Sequence, residues 1–520
     1  MHIEKNICES IIGTLLDISG KTKDGINARK DLEDIGIRHE LHPKDHGHRT
    51  YLPPAPHTLS KTEKEKFCKR LFNLKLPNGY SSNIGNYVSI EECKITGLKS
   101  HDCHVLIQQL LVVALRGLLS KGPRMAIMQL CAFFNKLCQR VIDREVVVAL
   151  EDEVVETICM FERFFPPSFF DIMIHLSIHL GREAELGGPI QYRWMYPFER
   201  YMKILKGYVK NRTRPEGCIV ECYLVDETAT FCSGYFNHDF GGNYQNARNQ
   251  DFFSDVILEG YPILGGKSMS LSDEVLERTH RMHLEELKQS NKNLERNHNL
   301  LQKTHANNFA TWLKEKFLTS ICEDGETLKW LANGPRNHAM SYNGYVINGQ
   351  RFHTKDVDKS TQNSGVSIEA TTICRASAKD TSQVVDVVAY YGVIKEIILL
   401  DYYQFQLPIF KCHWVNVGHG VKFENGFTLV NLHQSQNQYV REPFILASQA
   451  KQVFYSREID SPNWYVVLKA PPRGYYELEM YNEDEDLTSR PEYVTTHNMN
   501  IYDDSEKVSY VREDCEGVLV

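Results

Sequence analysis

Apolar residues fill most positions between Val105 and Leu119, interrupted by Gln108, Gln109 and Arg116. The run is too short and too polar to cross a bilayer, so a soluble protein is expected. A second apolar stretch covers residues 172–180, where Ile, Leu and Met fall all round a helical wheel. That pattern predicts a buried helix. Ser168 follows Pro166-Pro167 and precedes Asp171 by three positions, which predicts a capping-box-like start. Gly187-Gly188-Pro189 supplies the stop. Pro197 suits the first turn of a further helix. Residues 1–235 therefore read as a mostly α-helical domain.

The pattern then changes twice. Residues 236–270 are rich in Gly, Asn and Asp and read as a linker. Residues 272–317 are polar and helical, yet their leucines keep no heptad, which argues against a coiled coil. Together 236–334 form a linker and polar helical segment. Beyond 335, β-branched and aromatic runs are separated by Gly, Asn and Asp. They cover Tyr342 to Gly349, Val384 to Leu400, Pro408 to Val415, Phe427 to Leu432 and Trp464 to Leu468. Such runs predict strands, and residues 335–475 read as a small β-barrel-like domain. The fold class expected is α+β and multidomain, ending in an acidic disordered tail over 476–520.

Charge sharpens that division. The chain of 520 residues carries a net −8, but Tyr476 to Val520 holds 13 acidic residues against three basic ones. The acidity belongs to that extension, and the rest is nearly neutral to slightly basic. Fourteen cysteines are scattered without the dense spacing of a secreted disulfide scaffold. Reduced thiols in a nuclear or cytoplasmic setting are expected, and the N-terminal His2, Glu4 and Lys5 do not make a signal peptide. Asn211-Arg212-Thr213 matches a glycosylation acceptor that such a setting would leave unused.

The most informative chemistry lies after Trp194. At about 100° per residue, Lys203, Lys206 and Lys210 fall within roughly 60° of one another. Glu199 projects into the same stripe, Arg200 lies at its edge, and Arg212 and Arg214 extend the charge past the helix. Phe198, Tyr201, Met202, Ile204, Leu205, Tyr208 and Val209 occupy the opposite half. A cationic stripe of this kind can follow a phosphate backbone. The plainer reading is a solvated helix face with Glu199 paired to Lys203.

Other candidates are weaker. His175, His179 and Glu183 share one helical face at zinc-compatible spacing, but no fourth ligand accompanies them, so histidines bonded within a helical core are expected. Neighbouring residues of His101-Asp102-Cys103-His104 cannot all face one metal, and Cys218 with Cys222 is a lone CxxxC. No metal is assigned. P-loop, dinucleotide fingerprint and nucleophile elbow are all missing, so no nucleotide cofactor is expected. Tyr390-Tyr391-Gly392 and Phe410 to Trp414 place aromatics on strands, where core packing is the ordinary role.

Several longer words add a family likeness. Met1 to Asn6, Gly13 to Asp17, Gly20 to Asp24 and Gly97 to His104 resemble the region after the catalytic core of plant CACTA-type (En/Spm-like) transposases. So do Leu186 to Pro189, Tyr192 to Tyr201 and Arg214 to Gly217. Gln362 to Val366, Tyr391 to Ile394, Phe427 to Leu432 and Phe444 to Tyr455 resemble a second uncharacterised domain that accompanies it. The resemblance implies a cut-and-paste DNA transposase whose RNase-H-like core holds divalent metal on clustered carboxylates. This chain is expected to start after most of that core. Glu199 is the first candidate for a remaining catalytic carboxylate and Glu4 the second.

The function expected is therefore a transposon-derived, non-catalytic protein that binds DNA or a transposase partner. Arg200, Lys203, Lys206, Lys210, Arg212 and Arg214 are the DNA-binding candidates. No cofactor is expected, magnesium entering only with a complete core. The alternatives are a non-catalytic interaction module built on the β domain, or the last part of an active transposase whose start lies upstream.

Overall fold

A computed structural model describes residues 1–240, 260–263, 265–290, 330, 332–374, 384–402, 405–434, 443–470 and 509–520. Its helices are α1 (His2–Leu15), α2 (Ile26–Ile35), α3 (Lys61–Asn73), α4 (Ser100–Val105), α5 (Leu111–Ala114), α6 (Lys121–Leu137) and α7 (Arg144–Phe164). They continue with α8 (Ile172–Ser177), α9 (Leu180–Gly187), α10 (Tyr196–Tyr208), α11 (Pro215–Phe240) and α12 (Asp273–Ser290). Among the strands, β1 (Lys44–Asp45), β2 (Thr50–Leu52), β3 (Val88–Ser89) and β4 (Lys94–Ile95) lie among the first helices. Next come β5 (Tyr261–Pro262), β6 (Lys267–Ser270), β7 (His338–Tyr342), β8 (Gly344–Ile347), β9 (Gln350–His353), β10 (Gly365–Cys374) and β11 (Val384–Asp401). The rest are β12 (Gln406–Trp414), β13 (Val421–Glu424), β14 (Phe427–Val430), β15 (Phe444–Leu446), β16 (Lys451–Arg457), β17 (Tyr465–Lys469) and β18 (Val518–Leu519). A helical first half and a β-rich second half make the α+β class.

By contact the chain forms two compact units. One gathers residues 1–135, 153–178 and 259–520, and the other 136–152 and 179–258. The larger unit thus holds both the first helices and the β-rich stretch. The apolar run after Val105 passes from α4 through a π-helical turn (Leu106–Leu110) into α5, with nearly every side chain buried.

The β-rich stretch is built on a ten-stranded sheet. Its main path runs β13-β14-β17-β16-β10-β11-β12-β15, with β7 pairing β11 and β6. Among the described residues its end strands do not pair, so the sheet described is open. Segments 261–262 and 267–270, within the stretch that composition reads as linker, pair with β8 and β7. Asn348-Gly349 joins β8 to β9 and Asn425-Gly426 joins β13 to β14, all four residues at positive φ. Two-residue turns of this hand match the twist of the strands they connect, and Asn-Gly tolerates them. Phe410, Trp414 and Tyr391 are buried, the core role expected of the strand aromatics.

Gln362 and its neighbours join the sheet to the first helices. The Gln362 N–H donates to Leu76 O at 3.2 Å, and its side-chain oxygen accepts from the Tyr455 N–H. Asn363 Oδ1 accepts from the Asn78 N–H at 2.8 Å. Gly365 follows because a Cβ there would stand 2.2 Å from the Val453 carbonyl oxygen. The stretch from Gln362 to Val366 is, physically, a seam between two parts of one unit.

Buried charges tighten the same unit. Arg70 and Arg116 share Glu458, with Arg70 Nη2 at 2.8 Å from Oε1 and Arg116 Nη1 against Oε2. Asp24 accepts from Arg29 at 2.5 and 2.8 Å and lies 2.9 Å from His57 Nε2. The other ring nitrogen of His57 faces the Phe164 carbonyl oxygen at 2.8 Å. Both ring nitrogens of His57 thus face oxygen atoms. Of the acidic extension, 509–520 is described and returns to the first helices: Val518 pairs with Leu52 and Leu519 with Tyr51. Residues 476–508 lie outside the described set.

Two details near residue 170 correct the expectations. Asp171, not Ser168, caps the helix, accepting from the Met173 and Ile174 N–H groups at 3.0 and 3.4 Å. Ser168 instead donates to the Lys23 carbonyl oxygen. The single buried helix expected over 172–180 is two helices, α8 and α9. His175 and His179 are exposed, so they are not core histidines. A break at Ile178-His179 disrupts the uninterrupted i, i+4, i+8 face on which that expectation rested.

Candidate nucleic-acid interface

Helix α10 begins at Tyr196 with Pro197 in its first turn, where a missing N–H costs nothing. It ends at Tyr208, and the chain turns through residues 209–214 into α11. Asn211 organises the turn: its Oδ1 accepts from the N–H and hydroxyl of Thr213 at 3.0 and 2.6 Å. The two helices are tied at this end. Tyr208 donates its hydroxyl to Asp226 at 2.5 Å, and the Cys222 thiol lies 3.8 Å from the Tyr208 carbonyl oxygen. The Cys218 thiol contacts Asn211, 3.4 Å from its N and 3.8 Å from its O. The CxxxC pair therefore stitches a helical hairpin. Its hydrogen bond to the Asp226 carboxylate raises the Tyr208 phenol to about 12.

The expected cations are placed on this hairpin. Lys203 and Lys206 stand on α10, with Lys210, Arg212 and Arg214 in the turn, and all five are exposed. None forms an ion pair among the described residues, and Glu199 is not paired with Lys203. Arg200 lies on α10, but its side chain is outside the described residues. Unpaired, solvated ammonium and guanidinium groups on one element are available to an anion.

Glu199 is exposed in the first turn of α10. Among the described residues it belongs to no group of three or more potential metal ligands. Glu4, by contrast, is buried on α1, and both its oxygens face His104 Nδ1 at 2.9 and 3.0 Å. Burial pushes its carboxyl up, but the His104 hydrogen bond and charge, with the N-terminal ammonium, bring it down to about 2. Neighbouring residues confirm that His101-Asp102-Cys103-His104 splays. Asp102 accepts from Ser81 and Ser82 hydroxyls at 3.0 and 2.7 Å, and His101 faces the Tyr80 carbonyl oxygen at 3.2 Å.

What residue patterns did not signal is the exposure of the apolar half of α10. Phe198, Met202 and Ile204 are 62%, 63% and 52% exposed, so that half is not sealed by a core.

Residues 137–250, which contain the hairpin, match a family described as a domain of unknown function, DUF4218. Residues 398–467, from the end of β11 to β17, match a second, DUF4216. No curated protein and no solved structure matches the chain.

Proposed function

We propose that this chain is a transposon-derived protein resembling the C-terminal part of a CACTA-type transposase, and that it holds DNA without cutting it. The pairing of the two matched domains with the transposase-like words supports the transposon origin. One observation carries the DNA reading: Lys203, Lys206, Lys210, Arg212 and Arg214 are exposed on one hairpin and enter no described ion pair. Each phosphate neutralised there releases counterions, so affinity falls steeply with salt. Glu199 is solvated and joins no group of potential metal ligands among the described residues, which argues against cleavage, because a two-metal centre needs several carboxylates around its ions.

Fluorescence anisotropy of a labelled duplex with the full chain tests the reading. Affinity is expected to fall as salt rises. The triple change Lys203→Glu, Lys206→Glu, Lys210→Glu is expected to weaken it at least about tenfold and flatten the salt slope by roughly three. A salt-independent affinity would point instead to a protein partner, such as an intact transposase. Incubating the chain with supercoiled plasmid and magnesium is expected to leave the plasmid intact. Nicking that Glu199→Gln abolishes would overturn the non-catalytic reading.

A further inference from the structure

The hairpin presents two apolar stripes that its own packing does not cover. On α11, Cys222 and Asp226 face α10, and Cys218 faces the turn that follows it. About half a turn away, Val220, Leu224 and Phe231 follow the spacing i, i+4, i+11 and are 54%, 52% and 75% exposed. Glu227 occupies i+7. On α10 and its C-terminal edge, Phe198, Met202, Leu205 and Val209 repeat the same i, i+4, i+7, i+11 spacing. Phe198 and Met202 are open to solvent, and Leu205 and Val209 half-buried.

Charge distinguishes the two stripes. The segment 196–214 holds six cations and one carboxylate, a balance of +5. Helix α11 has no Lys or Arg and five acidic residues, a balance of −5. Setting α11 against another α11 would oppose like charges, as would α10 against α10. Setting α10 of one copy along α11 of another joins stripes of equal spacing and opposite sign, and gives Glu227 a neighbour rich in lysine. A two-fold rotation makes both such contacts at once, closing a four-helix arrangement.

We infer that a second copy of this chain docks on the α10–α11 hairpin, each copy's α10 lying along its partner's α11. This goes beyond DNA binding and can fail separately from it.

Light scattering and sedimentation of the full chain supply the test. At micromolar concentration the mass is expected near twice the 60.0 kDa of one chain. Met202→Asp and Leu224→Asp are each expected to weaken self-association at least about tenfold, with helical circular dichroism unchanged. Leu224→Asp removes no cation, so DNA contact by the single copy should persist. Charge reversal gives a sharper readout. A chain with Lys203, Lys206 and Lys210 changed to Glu, and one with Glu216, Glu221 and Glu227 changed to Lys, should each be monomeric alone. Mixed, they should form a heterodimer. A wild-type mass of one chain at all concentrations up to about 100 μM, a dimer that survives both Asp substitutions, or failure of folded reversed chains to pair would overturn the inference.

Discussion

Arg512 lays both of its terminal nitrogens on the Glu63 carboxylate, at 2.9 and 3.1 Å, so a residue of the acidic extension is latched onto α3. Glu63 is also the third residue of α3, and Oε2 accepts from the Ser60 N–H at 2.8 Å while Ser60 Oγ accepts from the Glu63 N–H at 3.3 Å. Asp514 reinforces the guanidinium, which these carboxylates hold further toward its charged form. The Arg512 side chain is nearly buried, so Arg512→Ala is expected to cost about 1–3 kcal/mol. Urea denaturation measures it. Arg512→Lys should recover only part, because an ammonium cannot reproduce the fork. Glu63→Ala should cost more than Arg512→Ala, since it also removes the carboxylate that accepts from the Ser60 N–H in the capping box.

Glu458 stands between two guanidinium groups that are themselves almost buried. Replacing it by Gln keeps the shape and leaves Arg70 and one side of Arg116 facing a neutral amide, while Arg116 Nη2 keeps Glu424 at 2.6 Å. The expected loss is about 3–5 kcal/mol, the size seen when one partner of a buried ion pair is removed. The same denaturation experiment checks it, and a loss under about 1 kcal/mol would show that solvent already screens the pair.

Asp24 gives the fold an acid-sensitive point. Burial raises its carboxyl, but the His57 and Arg29 contacts outweigh that and hold it below the usual carboxylate range. Its folded value is depressed, so its stabilisation is fully present above the ordinary carboxylate pKa of about 4 and is lost as pH falls through the folded value. Asp24→Asn should therefore cost most near pH 7. The gap between the variant and the wild type should begin to narrow below about pH 4 and close only as the pH falls through the depressed folded value, as thermal melts across that range would record.

Gly365 tests the seam between the sheet and the first helices. A methyl group there would meet the Val453 carbonyl oxygen, and backbone cannot swing aside as a side chain would. Gly365→Ala is expected to destabilise by about 1–3 kcal/mol, the range for overpacking a close contact. A melting temperature within a degree of wild type would refute it.

How much of this could be read from residues alone follows the range of the interactions. Strands bounded by Asn348-Gly349 or Asn425-Gly426 were legible because the turn and the alternation are local signals. The Pro197 start of α10 and the stop at Gly187-Gly188, with Gly188 at φ 73°, are local too. Pairing of β10 with β16, and of residues 1–135 with the β-rich stretch, joins segments far apart, and no periodicity encodes that. Exposed histidines at 175 and 179 were misread because the helix carrying them breaks between them. At the hairpin, wheel geometry located the cations, but it could not tell whether the apolar half would meet a core.

The ladder joining Leu52 to Val518 carries a temporal consequence. Strand β2 is translated before its second neighbour, which is made 466 residues later. At about 5–20 residues per second, roughly half a minute to a minute and a half separates the two. During that interval one edge of β2 stays open, with unmatched amide and carbonyl groups of the sort that attract stray strands. Its short length, three residues, keeps that hazard small until β18 arrives and shuts it.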